Sequence, residues 1–305
     1  MEKQHINRMW MGRRQKQQLV AAFILVLPAV VYLLAFILGP IFYSFNLSFK
    51  DHNLLNPDVS KYIWLDNYFT LFQDPLFKKA LMNTFHFSIV VVPIQTVIAL
   101  FLAVAANQKI KGKTFFRIAY YLPSITSSVA IATIFMFLFN RNGIANKFLS
   151  MFGFEPVSWF ANPSYALPLI MIMAIWASVG VNMIIYLAGL QDISDSLYEA
   201  AKMDGASPFQ QFRNITFPLL KEKTFFVVII GFIGTFQVFD QAYIISKGQG
   251  GPLDSTMTVV LYLYNKAFSE NQAGYASAAA FVLFSIIFLL TLMQKKFFGQ
   301  DTSNY

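Results

Sequence analysis

Long apolar runs alternate with short polar segments along the whole chain. Six such runs, each of about 19 to 25 residues, cover 19–42, 82–106, 115–139, 166–190, 224–245 and 275–293. About 20 helical residues span the hydrocarbon core of a bilayer. Lipid cannot satisfy backbone polar groups, so each run must be helical, and none alternates as the strands of a barrel do. The pattern predicts an all-α membrane protein with about six transmembrane helices.

Composition agrees with this interpretation. Hydrophobic residues make up 56% of the 305 residues and charged residues 12%. Soluble domains carry about 25% charged residues, which cover their surfaces with polar groups. The formal net charge is +8, but the chain has no RNP, zinc-knuckle or helix-turn-helix signature. The basic excess therefore reflects membrane topology, and nucleic acid is not expected as a partner.

The distribution of basic residues predicts the orientation of the chain. Four regions hold 15 of the 23 lysines and arginines: the 1–18 tail, the segment 107–117, the 191–223 loop and the 294–305 tail. The 43–81 loop balances four lysines against four aspartates. Cytoplasmic loops are enriched in Lys and Arg. We therefore expect both termini and the 191–223 loop in the cytoplasm, and the 43–81 loop on the other side.

The loop between the fourth and fifth runs carries signals for a first short helix. Ser196 and Glu199 fit a capping box, the S-x-x-E pattern that begins a helix. Leu197, Ala200 and Ala201 fall at helical spacing and would give a small apolar face. A glycine that follows a helix often adopts the left-handed conformation that ends it. The helix is therefore predicted to end at Gly205.

A second short helix follows in the same loop. Ser207 is a candidate N-cap, Pro208 suits the first helical position, and Gln210 completes a second capping box. Pro218 is predicted to end this helix before the fifth span. The resulting hairpin of two short helices would present Ala200, Ala201, Phe209 and Phe212.

The charge of this hairpin indicates what it contacts. An amphipathic hairpin could lie on lipid headgroups, but anionic lipid attracts basic segments. Here the charges are mixed and slightly acidic, with acidic side chains at Asp192, Asp195, Glu199 and Asp204. A protein partner fits this surface better than a membrane does.

The same segment resembles a known motif. The run Glu199-Ala200-Ala201, then Asp204-Gly205-Ala206, then Phe212, Ile215 and Pro218, is similar to the EAA loop of ABC importer permeases of the carbohydrate-uptake family. Residues in the usual order elsewhere extend the resemblance over nearly the whole chain; they include Gly39-Pro40, Asn67-Tyr68, Asp74, Asn83-Thr84, Asn146, Gly189-Leu190, Gly250-Gly251-Pro252 and Gly274-Tyr275-Ala276. The loop Lys247-Gly248-Gln249 looks longer than usual.

The resemblance implies a type I ABC importer permease fold with a five-helix core over 82–293. It implies that a dimeric ATPase, which holds the ATP and Mg²⁺, grips the 191–223 loop as a coupling helix. The ATPase-coupling residues would be Glu199, Ala200, Ala201, Asp204, Gly205, Phe209, Phe212 and Pro218. It also implies a homologous sister permease, an extracytoplasmic binding protein that delivers a sugar or oligosaccharide, and a place in the bacterial inner membrane.

Candidates for the substrate path come from the faces of spans four and five that contact sugar in relatives. They are Ala177, Val181, Gly231, Thr235, Val238 and Asp240. Asp240 is the only acidic residue within an apolar run, and intramembrane charges are functional candidates. It lies about five residues, or roughly 8 Å, from the end of its span, so an interfacial or helix-packing role stays open.

Other function classes lack support in the sequence. An ion-coupled secondary sugar transporter is the main alternative, but it needs a buried relay of which Asp240 alone offers a start. The chain has no cysteine, its three histidines lack metal-ligand spacing, and no catalytic motif is present. Gly112-Lys113-Thr114 resembles the end of a P-loop, but Asn107 stands where the first glycine is needed. No catalytic, metal or ATP site is expected in this chain.

Overall fold

A computed structural model describes residues 13–108 and 112–298, with side chains described for 17–108 and 112–296. The outer parts of the two predicted tails lie outside the described residues. The described helices are α1 (Arg13–Tyr32), α2 (Gly39–Leu47), α3 (Asp66–Gln73), α4 (Pro75–Asn107), α5 (Lys113–Ile125), α6 (Ser128–Leu138), α7 (Ile144–Ser150), α8 (Pro163–Gln191), α9 (Asp195–Met203), α10 (Pro208–Gln211), α11 (Phe217–Leu219), α12 (Lys221–Phe236), α13 (Asp240–Ser246), α14 (Val259–Tyr264) and α15 (Ala273–Phe298).

Shorter elements complete the description. A π-helical turn at Leu33–Leu38 joins α1 to α2 in one continuous helix. Two further π-helical turns lie at Phe212–Thr216 and Asn265–Ser269, and 3₁₀ turns lie at Pro57–Val59 and Pro252–Asp254. The strands β1 (Lys50–Asp51) and β2 (Lys61–Tyr62) pair antiparallel in the loop after α2.

Within the described ranges, five helical stretches are long and apolar enough to cross a membrane. They are Gln17–Leu47, Pro75–Asn107, Pro163–Gln191, Lys221–Ser246 and Ala273–Lys296. A sixth crossing is formed if α5 and α6, which are bent by 100° at the break between them, count as one span. The all-α membrane fold is confirmed. The third apolar run, predicted over 115–139, forms this bent pair, in which the chain turns sharply in its middle.

The bend between α5 and α6 has a local cause. Pro123 lacks an N–H and clashes with the preceding turn, which weakens the end of α5. Thr126 is extended (φ −82°, ψ 141°), and the Ser127 hydroxyl then accepts a bond from the Val129 amide to begin α6. On its other side α5 crosses α8 at Gly180, where an added Cβ would lie only 2.2 Å from the Tyr120 carbonyl oxygen. The contact with α8 therefore positions α5, while α6 turns away.

The fifth predicted span is also interrupted. Helix α12 ends at Gln237 (φ −101°, ψ 15°), and α13 begins after Phe239 (φ −133°, ψ −61°). The break frees backbone groups that need partners inside the membrane. The Thr258 hydroxyl supplies one by donating to the Val238 carbonyl over 2.9 Å. A buried side chain from the following loop thus stabilises the broken helix.

That loop, residues 250–258, is held by α4. The Asn83 side-chain amide donates to the carbonyls of Asp254 (2.8 Å) and Met257 (2.9 Å). The Thr84 hydroxyl accepts from the Val259 amide over 3.0 Å. Both polar side chains are buried. The Asn83-Thr84 pair of the sequence resemblance therefore has a structural role, which is to bind loop backbone.

Asp74 begins α4 and joins it to two later helices. One carboxylate oxygen accepts from the Leu76 amide (2.7 Å), and the other accepts from the hydroxyl of Tyr262 in α14 (2.6 Å) and, at 3.5 Å, from that of Tyr275 in α15. Burial opposes the charged form, but the bonds from Tyr262 and the backbone prevail and hold the pKa of Asp74 below its ordinary value. Burial and the adjacent carboxylate raise the pKa of Tyr262.

The two ends of the bundle are distinguished by the loops that they carry. The C-terminal end of α4 (Val104 and Asn107) lies beside the 195–216 segment, and we call this the hairpin end. The start of α4 lies at the opposite end with β1, β2 and the 250–258 loop. Ser44 donates to Ser277 over 3.1 Å, so α2 also meets the start of α15 there. By the succession of spans, both described ends of the chain point towards the hairpin end.

Candidate functional site

A cavity of about 470 Å³ lies among α4, α5, α8, α12 and α13. The structure brings all six candidate substrate-path residues to its wall: Ala177, Val181, Gly231, Thr235, Val238 and Asp240. Small residues make the space. At Gly231 an added Cβ would lie 2.8 Å from the side-chain nitrogen of Gln95, whereas at Gly234 nothing lies within 4 Å. Whether these residues touch a substrate stays a prediction.

Uncharged polar groups supply most of the chemistry of this cavity. Ser178 donates a short hydrogen bond to the Gln95 side-chain oxygen, which leaves the Gln95 amide nitrogen free to donate elsewhere. The Ser124 hydroxyl accepts from the Val181 amide over 3.3 Å. Asn182, Gln237 and Gln241 add further amides. Because amides and hydroxyls both donate and accept, the wall can bind a ligand that carries many hydroxyl groups.

Asp240 is the only charged side chain among the residues that line the cavity, all of which the structure describes. It is exposed, and within the described part of the chain no hydrogen bond or ion pair is found for its carboxylate. Lys247 lies at the other end of α13, about 10 Å away along the helix axis, and does not line the cavity. The carboxylate is therefore available to a ligand.

The break in the fifth span opens onto this cavity. Gln237, Val238 and Phe239, the three residues between α12 and α13, all line it. Irregular backbone at membrane depth is tolerated where it lines a cavity, and broken helices mark the binding sites of many transporters. Gln95, Ser124 and the break were not predicted, because they lie outside the faces of spans four and five that suggested the candidates. Polar residues next to Pro123 and within the second apolar run were the available signals.

The first arm of the hairpin is α9. Its N-cap is Ser194, whose hydroxyl lies 3.4 Å from the Ser196 amide, so the predicted capping box of Ser196 and Glu199 is wrong. The helix begins two residues earlier than expected because Ser194 is already extended (ψ 130°) and supplies the same hydroxyl. Gly205 adopts the left-handed conformation (φ +79°) expected of it, and turns the chain after α9.

The second arm begins as predicted. Ser207 and Gln210 form both bonds of a capping box, at 3.3 and 2.7 Å, with Pro208 at the first position of α10. The arm then passes through the π-helical turn and α11 without a stop, and the break comes at Leu220. Pro218 therefore does not end the helix. It is the second residue of α11, directly after the π-helical turn, and the chain stays helical around it.

The hairpin leaves most of its predicted coupling residues exposed. Glu199, Ala200, Asp204, Gly205, Phe209 and Pro218 are exposed, while Ala201 and Phe212 are half-buried. Met203 and Phe209 are 89% and 70% exposed, which is unusual for large apolar side chains on a polar loop. A hydrogen bond of 2.8 Å between the hydroxyls of Tyr198 and Thr216 joins the two arms. The outer surface of the hairpin is therefore partly apolar, and its two arms are linked by a side-chain hydrogen bond.

A cleft of about 640 Å³ separates the hairpin from the end of α4. Glu199 and Phe212 line it together with Asp195 and Lys202, and the other predicted coupling residues lie elsewhere on the hairpin. None of the eight coupling residues lines the cavity described above. The structure thus divides the predicted residues between two places. Among the described residues there is no group of three or more His, Cys, Asp or Glu that could hold a metal ion.

Comparisons with known proteins give this arrangement a context. The probable ABC transporter permease protein YesP of Bacillus subtilis is 38% identical over 96% of this chain and 94% of its own length. The lactose transport system permease protein LacF of Rhizobium radiobacter is 37% identical over 90% of this chain and 93% of its own length. A bacterial ABC transporter that imports the acidic polysaccharide alginate has the same fold, with a TM-score of 0.84 at 22% identity, covering 95% of this chain and 99% of that one.

A family model covers most of the same region. Residues 95–298, two thirds of the chain, match the model of the binding-protein-dependent transport system inner membrane component. This range includes the cavity residues from Gln95 onward and the complete hairpin. The chain therefore belongs to the family of inner membrane components of binding-protein-dependent transport systems.

Proposed function

We propose that this permease subunit forms, with a homologous sister permease, the membrane passage through which a sugar or oligosaccharide enters a bacterial cell. The hairpin and both termini face the cytoplasm, and a separate ATPase dimer that holds ATP and Mg²⁺ docks on the hairpin. An extracytoplasmic binding protein delivers the substrate to the opposite end. The observation that carries the proposal is the presence, in one chain of this family, of a polar intramembrane cavity and an exposed hairpin with hydrogen-bonded arms.

The hairpin supports the docking of an ATPase. Met203 and Phe209 present apolar surface that water disfavours, and the acidic Glu199 and Asp204 offer partners for basic side chains. The Tyr198–Thr216 bond and the Ser207–Gln210 capping box stiffen the two arms. A stiff projection transmits displacement, whereas a flexible one would absorb it. Closure of an ATPase dimer could thus move the spans on either side of the hairpin.

The cavity supports a saccharide as substrate. Its amides and hydroxyls match the donors and acceptors of sugar hydroxyl groups, and Phe87 and Phe239 add apolar faces for the C–H surfaces of a sugar ring. Similar proteins of this family are named for the transport of lactose and of arabinooligosaccharides. These relatives favour a sugar without identifying it.

The orientation follows from the charge distribution. The described hairpin end carries basic residues at Lys113, Arg117, Lys202, Arg213 and Lys223, whereas the loop after α2 carries balanced charge. Basic residues are retained on the cytoplasmic side. In a bacterium, the membrane concerned is the inner or plasma membrane.

Gly205 offers the sharpest test of the coupling hairpin. Gly205→Val forces a β-branched residue into the left-handed region, which disfavours the turn although nothing crowds the site. Gly153→Val is the matched control, because Gly153 has the same conformation (φ +80°), also has nothing within 4 Å, and lies in the loop between α7 and α8.

The measurement is ATP-driven sugar uptake by the complete importer in proteoliposomes, with membrane insertion checked in parallel. We expect Gly205→Val to abolish uptake with normal insertion, and Gly153→Val to retain most of it. If both variants transport equally well, the hairpin does not couple ATP hydrolysis to transport.

The alternative of an ion-coupled secondary transporter makes a different prediction. Such a protein would transport sugar without any ATPase, and a proton or sodium gradient would drive it. Asp240 is the one carboxylate in the cavity on which a relay could begin. Uptake into vesicles that contain this chain and its sister but no ATPase, on imposing an ion gradient, would establish that alternative.

A further inference from the structure

The charge of the cavity wall is unbalanced. Asp240 contributes one carboxylate, and no lysine, arginine or histidine is among the lining residues, all of which lie in the described ranges. The remaining polar lining consists of neutral amides and hydroxyls, including those of Gln95, Ser124 and Gln237. The wall therefore has a net negative charge that no described neighbour neutralises.

The dimensions of the cavity make this charge effective throughout. A space of 470 Å³ is about 10 Å across if roughly spherical, which is within the Debye length of about 10 Å at 0.1 M salt. Apolar walls such as Phe87, Val91 and Phe239 lower the local dielectric and strengthen the field. Any ligand in the cavity is therefore within reach of the Asp240 carboxylate.

We propose that Asp240 makes this chain's side of the passage selective for uncharged saccharides and excludes acidic ones. The carboxylate accepts hydrogen bonds from sugar hydroxyls and repels uronate, sulfonate or phosphate groups, which find no cation in this wall to offset the repulsion. This inference rests on the proposed function, because it assigns a ligand class to the same cavity. The fold itself does not decide the charge of the substrate, since the alginate importer with the same fold transports an acidic polysaccharide.

The position of Asp240 suits this role better than a structural one. Although it lies in the first turn of α13, its side chain has no described hydrogen-bond partner, and it is exposed rather than packed. Asp74 provides the contrast, because its carboxylate accepts bonds from backbone amides and from Tyr262 and so holds helices together. Asp240 makes no such contact, so any stabilising effect is limited to its charge at the start of a seven-residue helix.

The complete absence of cysteine in this chain allows a direct measurement. Val181→Cys places one thiol on the cavity wall in the importer complex, purified into nanodiscs so that reagents reach both membrane faces. Its sister and partner subunits are first freed of reactive thiols. The rates of modification by a cationic and an anionic methanethiosulfonate are then compared, with and without Asp240→Asn.

We expect the cation-to-anion rate ratio of the Val181→Cys thiol to fall at least about tenfold in Asp240→Asn, because the lost charge acts on the two reagents in opposite directions. Asp240→Glu should retain the ratio of the parent. Met203→Cys, on the hairpin, is the control reporter, and its ratio should not respond to Asp240→Asn. An unchanged ratio at the cavity thiol overturns the inference.

Saccharides themselves provide the second measurement. Glucose and glucuronate, each at about 100 mM to occupy even a millimolar site, are tested for slowing the reaction of the cavity thiol with a neutral maleimide. Glucose should protect in both backgrounds, and somewhat less in Asp240→Asn, because an amide oxygen is a weaker acceptor than a carboxylate. Glucuronate should protect at least about threefold better in Asp240→Asn than in the parent, because the repulsion is gone. Equal protection by glucuronate in both, or none in either, overturns the selectivity.

These outcomes differ from a failure of the proposed function. If neither charged reagent modifies the cavity thiol in any variant, the cavity is closed to solutes and the passage itself is wrongly assigned. If the thiol reacts but its cation-to-anion rate ratio is the same with and without Asp240→Asn, the cavity is still a passage and only the charge selectivity is wrong.

Discussion

Helices α5 and α8 cross in close contact at Gly180, next to the cavity-lining residues Ser124 and Val181. An alanine Cβ at this position would lie 2.2 Å from the Tyr120 carbonyl oxygen, 2.7 Å from the Ser124 hydroxyl and 2.8 Å from the Tyr121 Cα. An ordinary contact needs about 3.4 Å, so α5 must retreat by about 1.2 Å for Gly180→Ala to fit. Two of the three obstacles are backbone atoms, which cannot rotate away as a flexible side chain can.

The expected change in the folding stability of Gly180→Ala is the difference between two opposing effects. Overpacking of this kind typically costs about 1–3 kcal/mol, while replacing a helical glycine by alanine gains about 1 kcal/mol. The net loss of stability is therefore up to about 2 kcal/mol. The displacement also lengthens the bond between Ser124 and the Val181 amide, so the wall of the cavity changes shape. Uptake should fall more than the stability loss alone explains.

Gly234→Ala is the matched control for this experiment. Gly234 lines the same cavity from α12, and nothing lies within 4 Å of the position that its Cβ would occupy. We expect its unfolding midpoint in detergent to equal or exceed that of the parent, while Gly180→Ala unfolds at a lower temperature and transports more slowly. If the two variants unfold at the same temperature and transport at the same rate, the close crossing at Gly180 does not exist.

Three further predictions concern polar groups. Asp74→Asn should cost about 2–3 kcal/mol, because bonds to a charged acceptor are strong. Folding lowers the pKa of Asp74, so the ionised carboxylate stabilises the fold above about pH 4. This stabilisation is lost as the pH falls through the pKa of the folded state. The melting temperatures at about pH 3 and pH 7 should therefore differ less in Asp74→Asn than in the parent. Ser207→Ala removes an N-cap worth about 1 kcal/mol and should increase amide exchange in the hairpin with an unchanged global melting temperature; protection equal to the parent's would contradict the cap. Thr258→Val leaves the Val238 carbonyl without its partner, and should lower the melting temperature. Thr133→Val is the control, because it removes an exposed hydroxyl from within α6.

The length of the apolar runs alone predicted the membrane fold, because few soluble proteins can bury so many long apolar segments. It could not predict the interruptions. Pro123 was visible in the sequence, but proline is tolerated in membrane helices, and the 100° turn depends on the crossing at Gly180, a contact between residues far apart in sequence. The break after Phe236 has no proline to announce it, and its stability comes from Thr258 in a later loop.

Local signals in the hairpin were more informative, with one instructive failure. Gly205 and the Ser207–Gln210 capping box depend on neighbours within three residues, and both were predicted correctly. At the start of α9, two serines could serve as the cap, and the sequence pattern favoured Ser196 because a glutamate follows it. The structure uses Ser194, whose extended backbone leads directly into the helix.

Helix α4 runs from Pro75 to Asn107, and 33 residues at about 1.5 Å each give a rod about 50 Å long. Near its start α4 binds the backbone of the 250–258 loop through Asn83, at its middle it lines the cavity through Gln95, and at its end it borders the hairpin cleft. A tilt of about 10° about the midpoint would move each tip by about 4 Å in opposite directions. Any tilt of this one helix would therefore displace the 250–258 loop and the border of the hairpin cleft in opposite directions.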